Sequence, residues 1–212
     1  MKEGIKTIIF DIGGVLWLGK QRIHKNQLHA SGVHELAIKK LKTSVDQYFD
    51  SIDGVYAKSM EGKISKKKLL KTMSKNLKYP EKKLEKLYFK LYLKVFKKNK
   101  QLFKQAKKLR KLGYTVGILS DQWQLSKPAH AAKKDMRYFD PVIISCDAKL
   151  RKPSDKSFKQ ILKKAKSRPS ETLFIDNQEW NTLAASKLGI KTIQFKNNKQ
   201  LFKHPLWKKL FN

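Results

Sequence analysis

Four short stretches of this chain each carry an apolar run into a polar residue. Ile8-Ile9-Phe10 runs into Asp11, with Gly13-Gly14 behind it, and Ile118-Leu119 runs into Ser120 and then Asp121-Gln122. The run Val142–Ser145 is followed by a loop carrying Arg151-Lys152-Pro153, and Phe174-Ile175 runs into Asp176-Asn177. A carboxylate is a nucleophile able to form a covalent intermediate. A hydroxyl and an ammonium stabilise an oxyanion. Paired glycines permit a tight turn and let backbone N–H groups approach an anion closely. One carboxylate nucleophile, one hydroxyl, one lysine and a second carboxylate form a set suited to phosphate chemistry, provided that the fold brings them to one place.

The elements that must do this are strands of a parallel sheet, because ligands of open α/β sheets bind just beyond the carboxyl ends of their strands. The pattern predicts strands over residues 5–10, Tyr114–Leu119, Val142–Ser145, Thr172–Ile175 and Lys191–Phe195, with helical runs between them. Leu102, Ala106 and Leu109 mark a helix that ends near Gly113, a glycine C-cap. Pro153-Ser154 and Pro169-Ser170 mark later helix starts. Strands alternating with helices imply a parallel sheet covered on both faces. From about Leu18 to Lys98 strand signals vanish. Leu84, Leu87, Tyr88, Leu91 and Val95 there follow one helix face and read as core packing, and Ser65 reads as a helix N-cap.

The formal charge of the 212 residues is +32, and arginine supplies only five of the 49 basic residues, at 22, 110, 137, 151 and 168. Between residues 61 and 112, 19 lysines and Arg110 face Glu61, Glu81 and Glu85. Such a surface attracts polyanions, nucleic acid included, but base-reading contacts favour arginine and aromatics, which do not cluster with these lysines. The lysine excess therefore reads first as compositional. One cysteine, Cys146, excludes an internal disulfide framework and reads as a buried thiol. No apolar run is long enough to span a bilayer, and the N-terminus lacks a signal-peptide core, which points to the cytoplasm and to no membrane partner.

In order and spacing, Phe10-Asp11-Ile12-Gly13-Gly14-Val15, Glu61-Gly62-Lys63-Ile64-Ser65, Gly117-Ile118-Leu119-Ser120, Arg151-Lys152-Pro153 and Phe174-Ile175-Asp176-Asn177, with Asn181 and Leu188-Gly189-Ile190 beyond, resemble the haloacid dehalogenase superfamily. The chain is most similar to its branch with a helical cap, which includes sugar-1-phosphate phosphatases and the phosphatase domain of epoxide hydrolases. The resemblance implies an α/β fold: a Rossmann-like parallel-sheet core over 1–17 and 99–212, with an inserted helical cap over 18–98. It implies a Mg²⁺-dependent phosphatase of small phosphorylated metabolites, working through an aspartyl-phosphate on Asp11. Mg²⁺ would sit among Asp11, the Gly13 carbonyl, Asp176 and Asn177. Lys152 would offset the charge shared by nucleophile and phosphate, while Ser120 and the position of Asp121 would contact phosphate.

Three positions depart from the family pattern. Gly13 replaces the usual acid–base aspartate, a role worth about 10²–10⁴ in rate. That loss matters least with good leaving groups such as an anomeric oxygen or an acyl phosphate. Asn177 replaces a second aspartate and brings an oxygen without charge. Asp121 stands where asparagine is common, so it must be screened by lysines or bind metal. Two other functions follow from these departures: a weak or inactive phosphate- or polyanion-binding protein, and a metal-independent dehalogenase. Glu179 is a candidate water-mediated metal contact, set against a solvated helix-start residue. Trp17 and Trp123 either line a substrate mouth or pack the core. His24, His29 and His34, five residues apart, do not share a helix face and read as surface or packing residues.

Overall fold

The computed structural model describes residues 4–19, 22–24 and 29–211. At its centre is a five-stranded parallel sheet made of β1 (Thr7–Phe10), β6 (Thr115–Ser120), β7 (Val142–Ile144), β8 (Thr172–Asp176) and β9 (Lys191–Gln194), in the order β7-β6-β1-β8-β9. Side chains alternate across a strand, and β1 shows the consequence. Ile8 and Phe10 enter the apolar cluster on one face and Ile9 the cluster on the other. Both faces are covered, which is why the central strand β1 is apolar from Ile8 to Phe10.

Register decides where the polar ends fall. Phe10 lies opposite Ile118 on one side and Ile175 on the other, so Asp11 and Asp176 come level at the carboxyl edge. The Asp11 N–H donates to the Ile175 carbonyl at 2.9 Å and extends the ladder one step beyond the strand.

Short strands β2 (Trp17–Leu18) and β5 (Lys97–Lys98) pair antiparallel, and β3 (Arg22–His24) pairs with β4 (His29–Ser31). The expectation that strand structure is absent over 18–98 is corrected here. Strands of two or three residues are too short to show a period in sequence. Between β4 and β5 lie helices α1 (Val33–Leu41), α2 (Val45–Ile52), α3 (Val55–Met60), α4 (Lys66–Leu77) and α5 (Glu81–Val95). Ser65 caps α4 by accepting from the Lys68 N–H at 3.2 Å. On α5 Leu84, Tyr88, Leu91 and Tyr92 are buried, with Leu87 and Val95 partly so.

These helices are not a separate lobe in packing terms. One apolar cluster runs from Ile8, Phe10 and Ile175 of the sheet to Tyr48, Leu69 and Tyr88 of the helices. Two polar devices fix the junction. Asn99 caps α6 (Lys100–Lys111) and donates from Nδ2 to the Val15 carbonyl at 3.0 Å, pinning the returning chain to the loop after Asp11. Gly62 adopts φ +63°, and a Cβ there would stand 2.5 Å from the Cys146 carbonyl oxygen, so only glycine allows the α3–α4 turn to approach the sheet domain. Among the described residues no helix is long and apolar enough to cross a membrane.

Candidate active site

Asp11, Ser120, Lys152 and Asp176 meet at the carboxyl edge of the sheet, and all four are buried. Lys152 is the hub. Its Nζ lies 2.8 Å from Asp11 Oδ1 and 2.5 Å from Asp176 Oδ2, and the residue is only 4 % exposed. Its peptide bond to Pro153 is cis. Buried charges need compensation, and here each ion supplies it for the others. Burial pushes the Asp11 carboxyl up to about 6, against the pull of Lys152, while Asp176 adds to the rise and a Ser120 hydrogen bond opposes it. Burial would lower the Lys152 ammonium, but Asp11, Asp176 and Asp121 more than offset it and raise it above its ordinary value.

Both oxygens of Asp176 have partners. Besides Lys152 it accepts from the Gln178 N–H at 2.7 Å and from Asn181 Nδ2 at 3.0 Å. It stands behind Lys152 and does not line the cavity in front of Asp11. Asp121 does line that cavity, but its carboxylate is tied to the neighbouring loop. Oδ1 accepts from the Lys152 N–H at 3.1 Å, and Oδ2 lies 3.5 Å from Arg151 Nε. Its pKa is raised, chiefly by burial, with Lys152 pulling the other way. Glu179 is exposed and does not reach the cavity lining.

The two glycines after the nucleophile differ. Gly14 has φ +83°, and a Cβ there would fall 2.6 Å from Asn177 Nδ2. At Gly13 φ lies outside the left-handed range, and a Cβ would meet nothing nearer than Gln122 Nε2 at 4.0 Å. Position 13 therefore carries no backbone constraint that demands glycine. Asn177 is held beside Gly14 with its Oδ1 buried and unpartnered among the described residues. An unpaired amide oxygen in a cavity shared with Asp11 and Gly13 suits a hard cation, which takes oxygen donors. The residues present fit Mg²⁺ through Asp11, Asn177 and the Gly13 backbone, all of which line the cavity. Among the described residues no cluster of three or more His, Cys, Asp or Glu forms a metal site of its own.

The cavity measures about 810 Å³ and opens between the sheet edge and the helices. Its far wall is aromatic: Tyr56 of α3, Tyr92 of α5, Phe96 and Trp123. Trp123 is buried, and its Nε1 donates to the Tyr92 hydroxyl at 2.6 Å, so it both packs and lines. Trp17 is buried outside the lining and stacks on His130 at 5.7 Å. His34 is a packing residue, fully buried and hydrogen-bonded to Tyr48 at 2.6 Å; the side chains of His24 and His29 lie outside the described residues. Cys146 is buried, and burial pushes its thiol up to about 11.

Sequence reasoning missed Gln122 and His130. Gln122 Nε2 donates to Ser120 Oγ at 3.1 Å, and Gln122 Oε1 lies 3.2 Å from His130 Nδ1. Both line the cavity. The Asp-Gln step after Ser120 hints at the first; nothing in the sequence marks the second, whose role rests on contacts between distant residues.

A family model described as haloacid dehalogenase-like hydrolase matches residues 5–189. The chain is 33 % identical over 98 residues to glyceraldehyde 3-phosphate phosphatase of Pyrococcus abyssi, covering 43 % of this chain and 40 % of that one. It is 28 % identical over 100 residues to bifunctional epoxide hydrolase 2 of Rattus norvegicus, covering 45 % and 18 %. The chain thus matches less than half the length of each of these relatives. A HAD family enzyme of Bacteroides thetaiotaomicron, solved as a magnesium complex, has the same fold, with a TM-score of 0.73 at 23 % identity over 95 % of this chain and all of that one.

Proposed function

The chain belongs to the haloacid dehalogenase-like hydrolases, and we propose that it is a Mg²⁺-dependent phosphatase of small phosphorylated metabolites that works through an aspartyl-phosphate on Asp11. The observation that carries this reading is the buried bridge from Lys152 to both Asp11 and Asp176. A lone carboxylate would repel a phosphate dianion. With Lys152 2.8 Å away, the ammonium is already in place for the equatorial oxygens of a phosphate attacked by Asp11. Asp176 holds Lys152 from behind and acts as a positioning residue.

Ser120 contributes direction as well as a hydrogen bond. Because Gln122 Nε2 donates into its oxygen, the Ser120 proton is free to point at Asp11 or at a phosphate oxygen. Asp121 fixes the Lys152 loop through its backbone hydrogen bond and so positions the ammonium without touching phosphate. Asp11, Asn177 and the Gly13 carbonyl would hold Mg²⁺, which would supply the charge neutralisation that lets one anion approach another. The lysine-rich surface draws anionic substrates toward the site. Its place of action is the cytoplasm.

The test is phosphate release from a panel of phosphorylated metabolites, with Mg²⁺ and with chelator, by wild type and Asp11→Asn. The expected result is metal-dependent release that falls on the order of 10³-fold or more in the variant, which keeps its fold because Asp176 still pairs with Lys152. Binding of inorganic phosphate without turnover would instead favour the phosphate-binding protein. Turnover of haloacids without metal would favour the dehalogenase.

A further inference from the structure

The cavity is lined by the charged Asp11, Asp121, Arg151 and Lys152, by aromatic residues, and by Gly13, which has no side chain. Nothing in the packing forces that absence, since a Cβ at Gly13 would find open space. What faces it is the Gln122 amide, already committed to Ser120 and His130 and unable to act as an acid. The other proton-bearing groups near it are engaged elsewhere, the Lys152 ammonium in its bridge to Asp11 and Asp176. Asp121 is held by Arg151 and the Lys152 N–H. His130 is buried, and burial lowers its pKa to about 3, so at neutral pH it has no acidic proton to give. Tyr56 and Tyr92 pack into the aromatic wall, Tyr56 edge-on to Trp123 at 4.8 Å and Tyr92 stacked on Phe96 at 6.0 Å.

The aromatic wall extends to the mouth. Trp180, in the first turn of the helix Glu179–Lys187 that follows Asp176-Asn177, is 60 % exposed and still lines the cavity. A large aromatic left open beside a phosphate-sized charged corner marks a binding surface more than a packing one.

Resting on the phosphatase reading above, we infer that the substrate is an aryl phosphate, a monoester whose bridging oxygen is carried by an aromatic ring. Two independent features converge on it. A ring fits the wall of Tyr92, Phe96, Trp123 and Trp180, and a phenolic oxygen leaves without being protonated. Its conjugate acid has a pKa of about 10, as in tyrosine, whereas an aliphatic alcohol lies nearer water, at about 15.7. In the first step the Asp11 Oδ–P bond forms as the bridging P–O bond breaks, and its electron pair departs with the phenolate. In the second step water attacks phosphorus, the P–Oδ bond returns its pair to Asp11, and both water protons leave with the phosphate as dihydrogen phosphate.

Four phosphorylated compounds separate the two features when assayed with Mg²⁺ present: phenyl phosphate, benzyl phosphate, acetyl phosphate and glyceraldehyde 3-phosphate. Phenyl and benzyl share a ring but differ in leaving-group acidity; acetyl phosphate has a good leaving group and no ring. Phenyl phosphate is expected to give the highest kcat/KM, about 10²-fold or more above benzyl phosphate, the range that a general acid commands. Gly13→Asp should narrow that ratio at least about tenfold by raising benzyl phosphate turnover. Trp180→Ala, an exposed site that leaves the core intact, should raise KM for phenyl phosphate more than for acetyl phosphate. Equal turnover of benzyl and phenyl phosphate, or preference for glyceraldehyde 3-phosphate, overturns the inference while leaving a phosphatase. Acetyl phosphate outpacing phenyl phosphate overturns the aromatic half. No release from any of the four overturns the inference together with the reading it rests on.

Discussion

At the carboxyl edge of the sheet, Asp11, Lys152 and Asp176 keep opposite charges while nearly excluded from water. In the seam between sheet and helices, His34, Tyr48 and Tyr88 are just as buried and form a neutral chain, with His34 Nδ1 to Tyr48 at 2.6 Å and Tyr48 to Tyr88 at 2.6 Å. Burial acts on both regions and has opposite consequences. At the edge a charge survives because another is within reach, so the region is ready to receive an anion. In the seam burial lowers the His34 pKa to about 3, keeping the ring uncharged. The edge is organised to exchange partners and the seam to exclude charge.

The sharpest break of this contrast is Lys152→Met. It removes the hub and leaves two buried carboxylates facing one another. Removing one partner from a buried ion pair costs about 3–5 kcal/mol, so urea denaturation at pH 7 should show a loss of that order together with loss of turnover. A stable Lys152→Met protein would mean that the edge tolerates bare carboxylates and that the ion bridge is not what compensates them.

Acid should attack the seam next. For His34 and His130 the folded pKa of about 3 lies below the ordinary 6.5. Between those values the unfolded chain binds more protons, so stability rises with pH. It is intact above 6.5 and is lost progressively as pH falls. From pH 7 to pH 5 this amounts to about 2 kcal/mol per histidine. Asp11, raised from 3.8 to about 6, works in the opposite sense over its own window, because there the folded state holds the extra proton. The two histidines outweigh Asp11, and Asp121, also raised by burial, offsets a further part of the loss. His34→Gln should remove about half of the histidine contribution, measured as the shift of the urea midpoint between the two pH values.

How much of this could be read from sequence differs between the two regions for a physical reason. Each edge residue follows an apolar run, and register does the rest: Asp11 and Asp176 come level because Phe10 and Ile175 pair. The five sheet strands are legible to within a few residues at their ends, and the stripe on α5 through its period. Contacts between distant residues leave no such trace. Gln122 and His130 belong to the site through side chains eight residues apart, and the engagement of Asp121 by Arg151 and Lys152 lies across a loop. The lysine excess is legible as composition, and the backbone supports that reading. Lys42, Lys78, Lys149 and Lys166 all occupy left-handed positions at helix ends, where glycine is favoured, so lysine appears even where the local conformation argues against it.

The adjacent glycines give a smaller test within the edge itself. Gly14→Ala forces a Cβ into a left-handed position and onto the Asn177 amide, and should destabilise by about 1–3 kcal/mol. Gly13→Ala meets open space and should stay within about 0.5 kcal/mol of wild type. Paired thermal melts decide it. Equal losses at both positions would show that the loop after Asp11 is tight throughout, and that an acid at position 13 is excluded by packing.

The finest probe adds a charge to the edge where the amide of Asn177 now stands. Asn177 offers an unpaired oxygen without charge, next to Asp176, which already accepts from Lys152, Gln178 and Asn181. In Asn177→Asp the new carboxylate shares its cavity with Asp11 and Asp121, so without metal it adds like-charge repulsion and should lower stability by up to about 1 kcal/mol. With Mg²⁺ the sign reverses. A charged oxygen binds a hard cation more tightly than an amide, so the concentration giving half-maximal activity should fall several-fold, and added Mg²⁺ should stabilise the variant more than wild type by mass action. The two readouts must move in opposite directions. A folded variant with unchanged Mg²⁺ dependence and unchanged thermal response to Mg²⁺ would show that this corner does not hold the metal. The unpaired oxygen of Asn177 would then belong to the substrate.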